Sequence, residues 1–231
     1  MKQTKIAIIT PVYFDYPQLF VASLLACITN AKHFNIEFGL VSPCGCSNIT
    51  QARNISIQDL FIQELKNKAK FDYLMFIDSD IQFSIENILQ LLKRDKDVVS
   101  GIYFAKSKPH FPVCGFYDLK RISNGFPKLN KEQILSKQLL EVDWTGNGFI
   151  LMKRNVIDKI EYPWFDMRVI DLLEPAKRDG NITIKKEILS EDISFCCKIK
   201  EAGFKIFADT SILLKHAGNQ FFSVDHFLAL N

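Results

Sequence analysis

The chain has 231 residues, of which 48% are hydrophobic, and its 29 basic and 26 acidic residues give a formal net charge of +3. This size and composition allow one domain with a full hydrophobic core. The charges are spread along the chain, so no basic patch predicts binding to nucleic acid. No run of about 18 apolar residues predicts a transmembrane segment. Six cysteines that lack the usual spacing of a zinc site favour reduced thiols and a cytoplasmic location.

The first half of the sequence alternates between strand and helix patterns. Apolar runs typical of buried strands are "KIAIITPVY", "IEFGLVS", "YLMFIDSD" and "DVVSGIYF". Helical periodicity separates them, beginning near Thr50 in the second helix and after the N-cap Ser84 in the third. The predicted apolar faces consist of Phe20, Leu24, Cys27, Ile28 and Ala31, then Ile57, Leu60, Phe61 and Leu65, then Ile85, Ile88, Leu89 and Leu92. This alternation predicts a doubly wound parallel sheet up to residue 104.

The second half has a mixed pattern. "FPVCGFYD" is typical of a strand, a polar segment follows from Leu119 to Lys137, and "LLEVDWTGNGFILMKR" indicates two short strands around a glycine-rich turn. Ser190 is predicted to cap a helix that ends at Gly203, before a strand at "FKIFAD". No repeat or low-complexity linker interrupts the chain. We therefore expect a single domain with a mixed α/β second half.

Asp78 and Asp80 follow an apolar strand, where carboxylates cost free energy unless something compensates them. No G-x-G-x-x-G follows the first strand and no Walker loop is present, so a metal ion would have to hold any substrate phosphates. Magnesium or manganese shares oxygen ligands with phosphates in this way. The alternative to a metal site is that the aspartates cap the helix that starts near Ser84. A cap accounts for one carboxylate, but aspartates two residues apart lie on one face of an extended chain, which favours a shared ligand for both.

A second acidic pair, Glu191 and Asp192, falls in the first turn of the helix that Ser190 starts. For an isolated pair, the simplest interpretation is a favourable interaction with the helix dipole, worth about 0.3–1 kcal/mol. The motifs elsewhere in the chain favour a catalytic interpretation instead.

Six motifs in chain order together resemble the metal-dependent, inverting glycosyltransferases of the GT-A fold, over nearly the whole chain. They are "TPVYFDYP", "TQARN", "FIDSD", "WTGNGFILMKR", "SEDISFCCKIKEAGFKIFAD" and "KHAG". The resemblance implies an α/β fold with a doubly wound, mostly parallel sheet and a mixed C-terminal half. It implies one domain over residues 1–231, in which residues 1–104 bind the nucleotide and residues 105–231 bind the acceptor and carry out catalysis.

The same resemblance implies a donor site for a UDP- or GDP-sugar. Thr10, Pro11 and Tyr13 would line the nucleotide base pocket, and Arg53 would approach the nucleotide or its phosphates. Asp78 of the D-x-D pair would lie nearer the ribose and the metal. The segment "SPCGCSN" departs from the pattern, because many relatives have an aspartate at the second strand end, so the nucleotide is left open.

The resemblance also implies a metal centre and a catalytic base. Asp80 would bind Mn²⁺ or Mg²⁺ directly, with His216 as a further ligand and His226 as a rival. Trp144 and Gly146 of "WTGNG" would border the donor sugar and a glycan or glycoconjugate acceptor. Asp192 would be the base.

Simpler interpretations stay open beside these roles. Arg53 can be a solvated charge, Trp144 a core residue and His216 a merely hydrogen-bonded histidine. "LMFIDSD" also resembles the strand and D-x-D of haloacid dehalogenase-type phosphatases, although "IQF" follows where a Gly-Thr pair is usual. A non-catalytic module that binds nucleotide sugars or glycans is a third possibility.

Overall fold

The computed structural model describes residues 3–117, 126–175, 182–218 and 221–229, and the start of the predicted polar segment, residues 118–125, lies outside them. The strands are β1 Thr4–Ile9, β2 Ile36–Val41, β3 Tyr73–Ile77, β4 Ile81–Gln82, β5 Val98–Ile102, β6 Cys114–Gly115, β7 Leu139–Val142, β8 Trp144–Thr145, β9 Phe149–Lys153, β10 Val169–Pro175, β11 Ile182–Ile188, β12 Ile206–Leu213, β13 Lys215–Ala217 and β14 Phe221–Phe222. The helices are α1 Gln18–Ala31, α2 Ile49–Asn67, α3 Ile85–Lys93, α4 Lys131–Leu135, α5 Arg154–Asp158, α6 Glu191–Glu201 and α7 Val224–Leu228.

The main sheet has seven strands in the order β2-β1-β3-β9-β5-β12-β7. Parallel pairing joins β2 to β1, β1 to β3 and β5 to β12, whereas β9 is antiparallel to both of its neighbours and β7 is antiparallel to β12. Five of the seven strands therefore run in one direction. This arrangement confirms the predicted fold class, an α/β protein with a mostly parallel sheet and a mixed C-terminal half.

Helices cover both faces of this sheet, because the central strands are apolar on both sides. In β3, Leu74 and Phe76 join a core cluster with residues of α2 and α6. Met75 and Ile77 join a second cluster with residues of α1 and α3 on the other face. Continuous apolar strands of this kind are expected where a sheet is buried on both faces.

Local signals set the helix boundaries as predicted. Ser84 caps α3 through a capping box, in which its backbone N–H donates to the Asn87 side chain at 2.9 Å. The Ser190 hydroxyl accepts a hydrogen bond from the Ile193 backbone at the start of α6. Beyond the other end of α6, Gly203 has φ of +88°, which favours glycine.

Several details of the sequence-based prediction were wrong. Leu65 was assigned to the apolar face of α2, but it is 78% exposed, because Glu64 continues the buried face of Ile57 and Leu60. Ile28 was assigned to the apolar face of α1, but it is 46% exposed. The segment "LLEVDWTGNGFILMKR" forms three strands, not two, and the third, β9, inserts between β3 and β5. Such a long-range insertion leaves no mark on local periodicity. Among the described residues, no helix is both long and apolar enough to cross a membrane.

Glu64 lies in the core because it forms a buried ion pair with Arg154. The Arg154 Nε donates to Glu64 Oε1 at 3.0 Å and its Nη2 donates to Oε2 at 2.9 Å. The Glu64 carboxylate also accepts the Phe71 N–H at 3.0 Å. The pair joins α2 to α5 and to the start of β3.

We expect the Arg154→Ala variant to lose about 3–5 kcal/mol of unfolding free energy in urea denaturation, because Glu64 would be left buried without a cation. Arg168→Ala is the matched control, since Arg168 pairs with the exposed Glu201, and it should lose at most about 1 kcal/mol. Equal losses in the two variants would contradict a structural role for the buried pair.

Candidate functional site

The candidate site lies at one edge of the main sheet. The carboxyl ends of β1, β2 and β3 meet there because these strands are parallel neighbours, and the antiparallel β9 begins at the same edge, with Phe149 opposite Ile77. In open α/β sheets this edge is where ligands bind. The segments after β1, β2 and β3 and the one before β9 thus meet at one place.

Arg53 of α2 is the centre of a buried charge cluster at this edge. Its side chain is only 3% exposed, and its guanidinium donates hydrogen bonds to three carboxylates. Nη1 contacts Glu191 Oε1 at 2.8 Å and also Asp192 Oδ1, and Nη2 contacts Asp78 Oδ1 at 3.2 Å. The Phe165 ring lies 5.7 Å from the guanidinium carbon. One cation therefore joins α2, the first turn of α6 and the end of β3.

Asp192 has a second partner, Asn147, in the turn before β9. The Asn147 Nδ2 donates to Asp192 Oδ1 at 2.8 Å, and Asn147 itself is fully buried. Burial raises the pKa of Asp192 to about 6, with the nearby charges of Glu191 and Asp78 adding to the rise and Arg53 and Asn147 opposing it. The side chain nevertheless keeps 22% of its surface exposed. Asp192 is thus a fixed, reachable carboxylate with raised proton affinity.

Asp78 and Asp80 point to different partners. β3 ends at Ile77, and the Ile81 N–H donates to the Asp78 carbonyl at 3.0 Å, so the two aspartates lie in a turn rather than on the extended chain that was expected. Asp78 contacts Arg53. Asp80 contacts His216, whose Nε2 lies 3.2 Å from Asp80 Oδ1, and it accepts a hydrogen bond from Lys106 Nζ. The turn therefore places Asp78 beside Arg53 and Asp80 beside His216.

The Asp80–His216 pair has the donor set of a divalent-cation site. The His216 Nδ1 lies 2.9 Å from the Phe104 carbonyl, and a carbonyl only accepts, so this nitrogen carries a proton. With one ring proton, Nε2 directs a lone pair at Asp80 Oδ1, a buried oxygen with no hydrogen bond of normal geometry among the described residues. A cation, or a second ring proton, would stabilise two such facing acceptors.

The ligand distance also fits a metal. Neighbouring ligands of an octahedral ion with bonds of about 2.1 Å are about 3 Å apart, close to the 3.2 Å between His216 Nε2 and Asp80 Oδ1. Burial alone would raise the pKa of Asp80, whereas the His216 ring, when it carries a second proton, and the Lys106 ammonium lower it. No group of three or more histidine, cysteine, aspartate or glutamate side chains in the described ranges is arranged to hold a metal. Substrate or water oxygens would have to complete the coordination.

The other histidine, His226, is placed differently. It lies in α7, where its Nδ1 is 3.4 Å from the Ser223 backbone nitrogen. Its ring contacts the His110 ring, with ring centroids 5.7 Å apart. The structure thus brings His216, and not this rival, into contact with Asp80.

Thr10, Pro11 and Tyr13 follow β1 and run beside the segment after β2. The Val12 N–H donates to the Pro43 carbonyl at 3.1 Å. Thr10 and Pro11 are buried, and Tyr13 is 48% exposed. Their contact with a nucleotide base stays a prediction, as does contact between Arg53 and phosphates.

Trp144 and Gly146 are both buried. The Trp144 indole donates to the Phe116 carbonyl at 3.3 Å and the ring belongs to the core. A Cβ on Gly146 would come within 2.0 Å of the Tyr103 hydroxyl oxygen, so the close approach that this glycine permits is made by Tyr103. The Tyr103 hydroxyl in turn accepts the Gly148 N–H at 3.1 Å. Contact of either residue with sugar stays a prediction.

Three residues of the site were not named in the sequence-based prediction, Tyr103, Lys106 and Asn147, and Glu191 was noted there beside Asp192 but received no role of its own. Asn147 stands inside the quoted motif "WTGNG", and Glu191 beside Asp192, so each had a signal nearby. Lys106 and Tyr103 had none, because their contacts depend on the fold alone.

No protein-family model matches the sequence, and comparison with curated proteins gives no match. Among solved structures, the chain resembles A197 from STIV, with 19% identity, coverage of 96% of this chain and 91% of that one, and a TM-score of 0.57. It also resembles a mutant Drosophila β-1,4-galactosyltransferase 7 in complex with manganese, UDP-Gal and xylobiose, with 14% identity, coverage of 95% and 70%, and a TM-score of 0.45.

A third similar structure is a glycosyltransferase involved in glycosylation of the major capsid of PBCV-1, with 10% identity, coverage of 69% of each chain and a TM-score of 0.36. Glycosyltransferases are thus among the structures that resemble this chain. The likeness to A197 shows a shared fold, whereas the two glycosyltransferases superpose too loosely to support an argument about activity.

We expect Arg53→Ala to lower the unfolding free energy by at least about 3 kcal/mol at pH 8, because three carboxylates lose their cation. The loss should be smaller at pH 5. Without Arg53, which lowers it, the folded-state pKa of Asp192 would lie further above its unfolded-state value, so the stability of the variant falls as pH increases. Urea denaturation at both pH values measures the difference. Arg168→Ala should show little pH dependence, and an equal loss from Arg53→Ala at both pH values would argue against this electrostatic role.

Proposed function

We propose that this protein is a glycosyltransferase that moves a sugar from a nucleotide diphosphate sugar to an acceptor hydroxyl, with inversion and with a divalent cation. One observation carries the proposal. At a single sheet edge, the Asp80–His216 pair suited to a cation lies apart from Asp192, a partly buried carboxylate with a raised pKa. Transfer from a diphosphate donor needs both a stabiliser for the leaving group and a base for the acceptor.

In this proposal Asp192 removes the acceptor proton. A base works best when its pKa lies near the operating pH, and a pKa of about 6 meets this condition better than an ordinary aspartate does. The acceptor oxygen forms its bond to the anomeric carbon while the bond from that carbon to the diphosphate breaks. Asn147 and Arg53 hold the Asp192 carboxylate in place. A single displacement of this kind inverts the anomeric configuration.

Asp80 and His216 are the residues we propose for the cation, Mn²⁺ or Mg²⁺. When bound, the cation would stabilise the negative charge of the departing diphosphate. Lys106, which contacts Asp80, lies beside this pair and offers the diphosphate a further positive charge. Asp78 would lie on the ribose side, since Arg53 holds its carboxylate away from His216.

The nucleotide base would lie against the segment after β1, with the half-exposed Tyr13 ring as a stacking surface. Residues 1–104 would then contribute most of the donor site, and residues 105–231 the base and part of the acceptor site. The phosphatase alternative gains no support, because the Asp78 carboxylate that would be its nucleophile is bound to Arg53. Turnover of a labelled UDP- or GDP-sugar separates an enzyme from a binding module.

The Asp192→Asn variant tests the base. Asparagine keeps the shape and a hydrogen-bonding oxygen, so donor binding should change little, while transfer falls by about 10²-fold or more. Glu191→Gln is the matched control: it changes the other carboxylate on Arg53 and should keep most of the activity. Both are measured as initial rates of transfer from the labelled donor.

Two further measurements, the pH profile of transfer and the configuration of the product, test the role of Asp192 in the unmodified protein. In the unmodified protein, kcat/KM should rise about tenfold per pH unit below about pH 6 and level off above it, because only the ionised Asp192 accepts a proton. The product should have the inverted anomeric configuration by NMR. Retention of configuration, or near-normal turnover by Asp192→Asn, would return Asp192 to a structural role.

The metal site is tested by nucleotide binding. EDTA should abolish transfer, and manganese or magnesium should restore it. His216→Ala should weaken manganese-dependent binding of UDP or GDP, measured by calorimetry, because it removes one of two protein ligands. His226→Ala should leave binding unchanged. The reverse order of effects, or full transfer in EDTA, would show that the Asp80–His216 assignment is wrong.

A further inference from the structure

A separate pocket of about 490 Å³ opens beside the N-terminal half of α2. Eight residues line it, and none of them is charged. Four are amides, Asn48, Gln51, Asn54 and Gln58, and the opposite wall is formed by Tyr162 and Met167. Its volume falls within the range of about 300–1,000 Å³ that is usual for small-ligand sites.

The amides leave much of their hydrogen-bonding capacity unused. The Gln51 and Gln58 side chains are exposed and have no hydrogen-bond partner within the described part of the chain. A primary amide both donates and accepts, and a sugar hydroxyl does the same. Gln51 and Gln58 are seven residues apart in α2, so they lie on one face of the helix about 10.5 Å from each other. Two free amides at this spacing suit hydroxyls of different sugar units in one oligosaccharide.

Tyr162 gives the pocket an aromatic wall. Its ring is 63% exposed and is braced edge-on by Trp164, with ring centroids 5.3 Å apart. The face of an aromatic ring is electron-rich and attracts the polarised C–H groups on the less polar face of a sugar. Met167, 59% exposed, adds an adaptable apolar contact beside it.

Asn54 connects this pocket to the candidate active site. Its side chain donates to the Phe165 carbonyl at 2.8 Å and accepts the Phe165 N–H at 3.1 Å, which fixes the 162–167 wall against α2. The Phe165 ring lies next to the Arg53 guanidinium, which binds Asp192. The pocket wall and the proposed base thus share one rigid support.

We propose that this pocket binds uncharged sugar units of the acceptor, so that the acceptor is a neutral oligosaccharide or polysaccharide that extends from Asp192 along α2. The inference rests on the proposed function and deepens it by naming the acceptor class. A charged ligand would lose hydration here without gaining a counter-ion. The amides alone would also suit a peptide, but the exposed aromatic face beside free amides favours a sugar.

The test is an NMR titration of the whole chain with neutral tetrasaccharides of glucose, galactose, mannose and xylose, and with tetragalacturonate and tetra-alanine. We expect at least one neutral tetrasaccharide to bind, with upfield shifts of its ring protons. Binding should weaken by about ten-fold in Tyr162→Ala and by about five-fold in Gln58→Ala. Gln63→Ala removes an amide of α2 that is outside the pocket, and it should bind as the unmodified protein does.

The inference is overturned if no neutral tetrasaccharide binds, if Tyr162→Ala and Gln58→Ala both bind as tightly as Gln63→Ala, or if tetragalacturonate or tetra-alanine is the preferred ligand. Gln58 is exposed, so its variant keeps the test valid if Tyr162→Ala fails to fold. Manganese-dependent binding of UDP or GDP is measured on the same samples. Loss of oligosaccharide binding with intact nucleotide binding would reject this pocket alone, and the opposite result would reject the proposed donor chemistry alone.

Discussion

The burial of Arg53 is the constraint on which the site depends. A guanidinium removed from water is costly, and excellent geometry with several hydrogen-bond acceptors is needed to offset that cost. Here the acceptors come from the end of β3 and from the first turn of α6, so these elements must meet α2 closely. Because one cation is shared among three carboxylates, it cannot neutralise them all. Burial, together with the charges of Glu191 and Asp78, therefore keeps the pKa of Asp192 raised although this carboxylate touches an arginine.

The turn after β3 divides the remaining chemistry between two places. A straight continuation of the strand would direct both aspartates to the same side, whereas the turn gives Asp78 to Arg53 and Asp80 to His216. Tyr103 lies between the two groups. Its ring contacts His216, with ring centroids 5.3 Å apart, and its hydroxyl occupies the space that Gly146 leaves free. One packed side chain thus contacts both His216 and the glycine-rich turn that carries Asn147, the partner of Asp192.

The sequence predicted well whatever depends on neighbouring residues. Strand periodicity located β1, β2, β3 and β5, and cap residues located the starts of α3 and α6, because these signals act within one or two turns. It could not predict that β9 inserts into the sheet, or that Arg53 pairs with Asp192, 139 positions away. Nothing local distinguishes a buried arginine from a solvated one. Asn147 was missed for the same reason, since its partner is known only once β9 is placed.

The charges of the site explain why a cation and a diphosphate would bind together. Two cations, Arg53 and Lys106, contact the four carboxylates of Asp78, Asp80, Glu191 and Asp192. With His216 neutral and Asp192 ionised, the site therefore has an excess of two negative charges. A diphosphate alone would be repelled by this excess, and the repulsion would be strong in a partly buried cleft of reduced dielectric. A divalent ion held by Asp80 and His216 would cancel it while leaving the Asp192 side negative. The proposed donor would then be attracted to one end of the cleft, and the other end would keep the negative charge that a base requires.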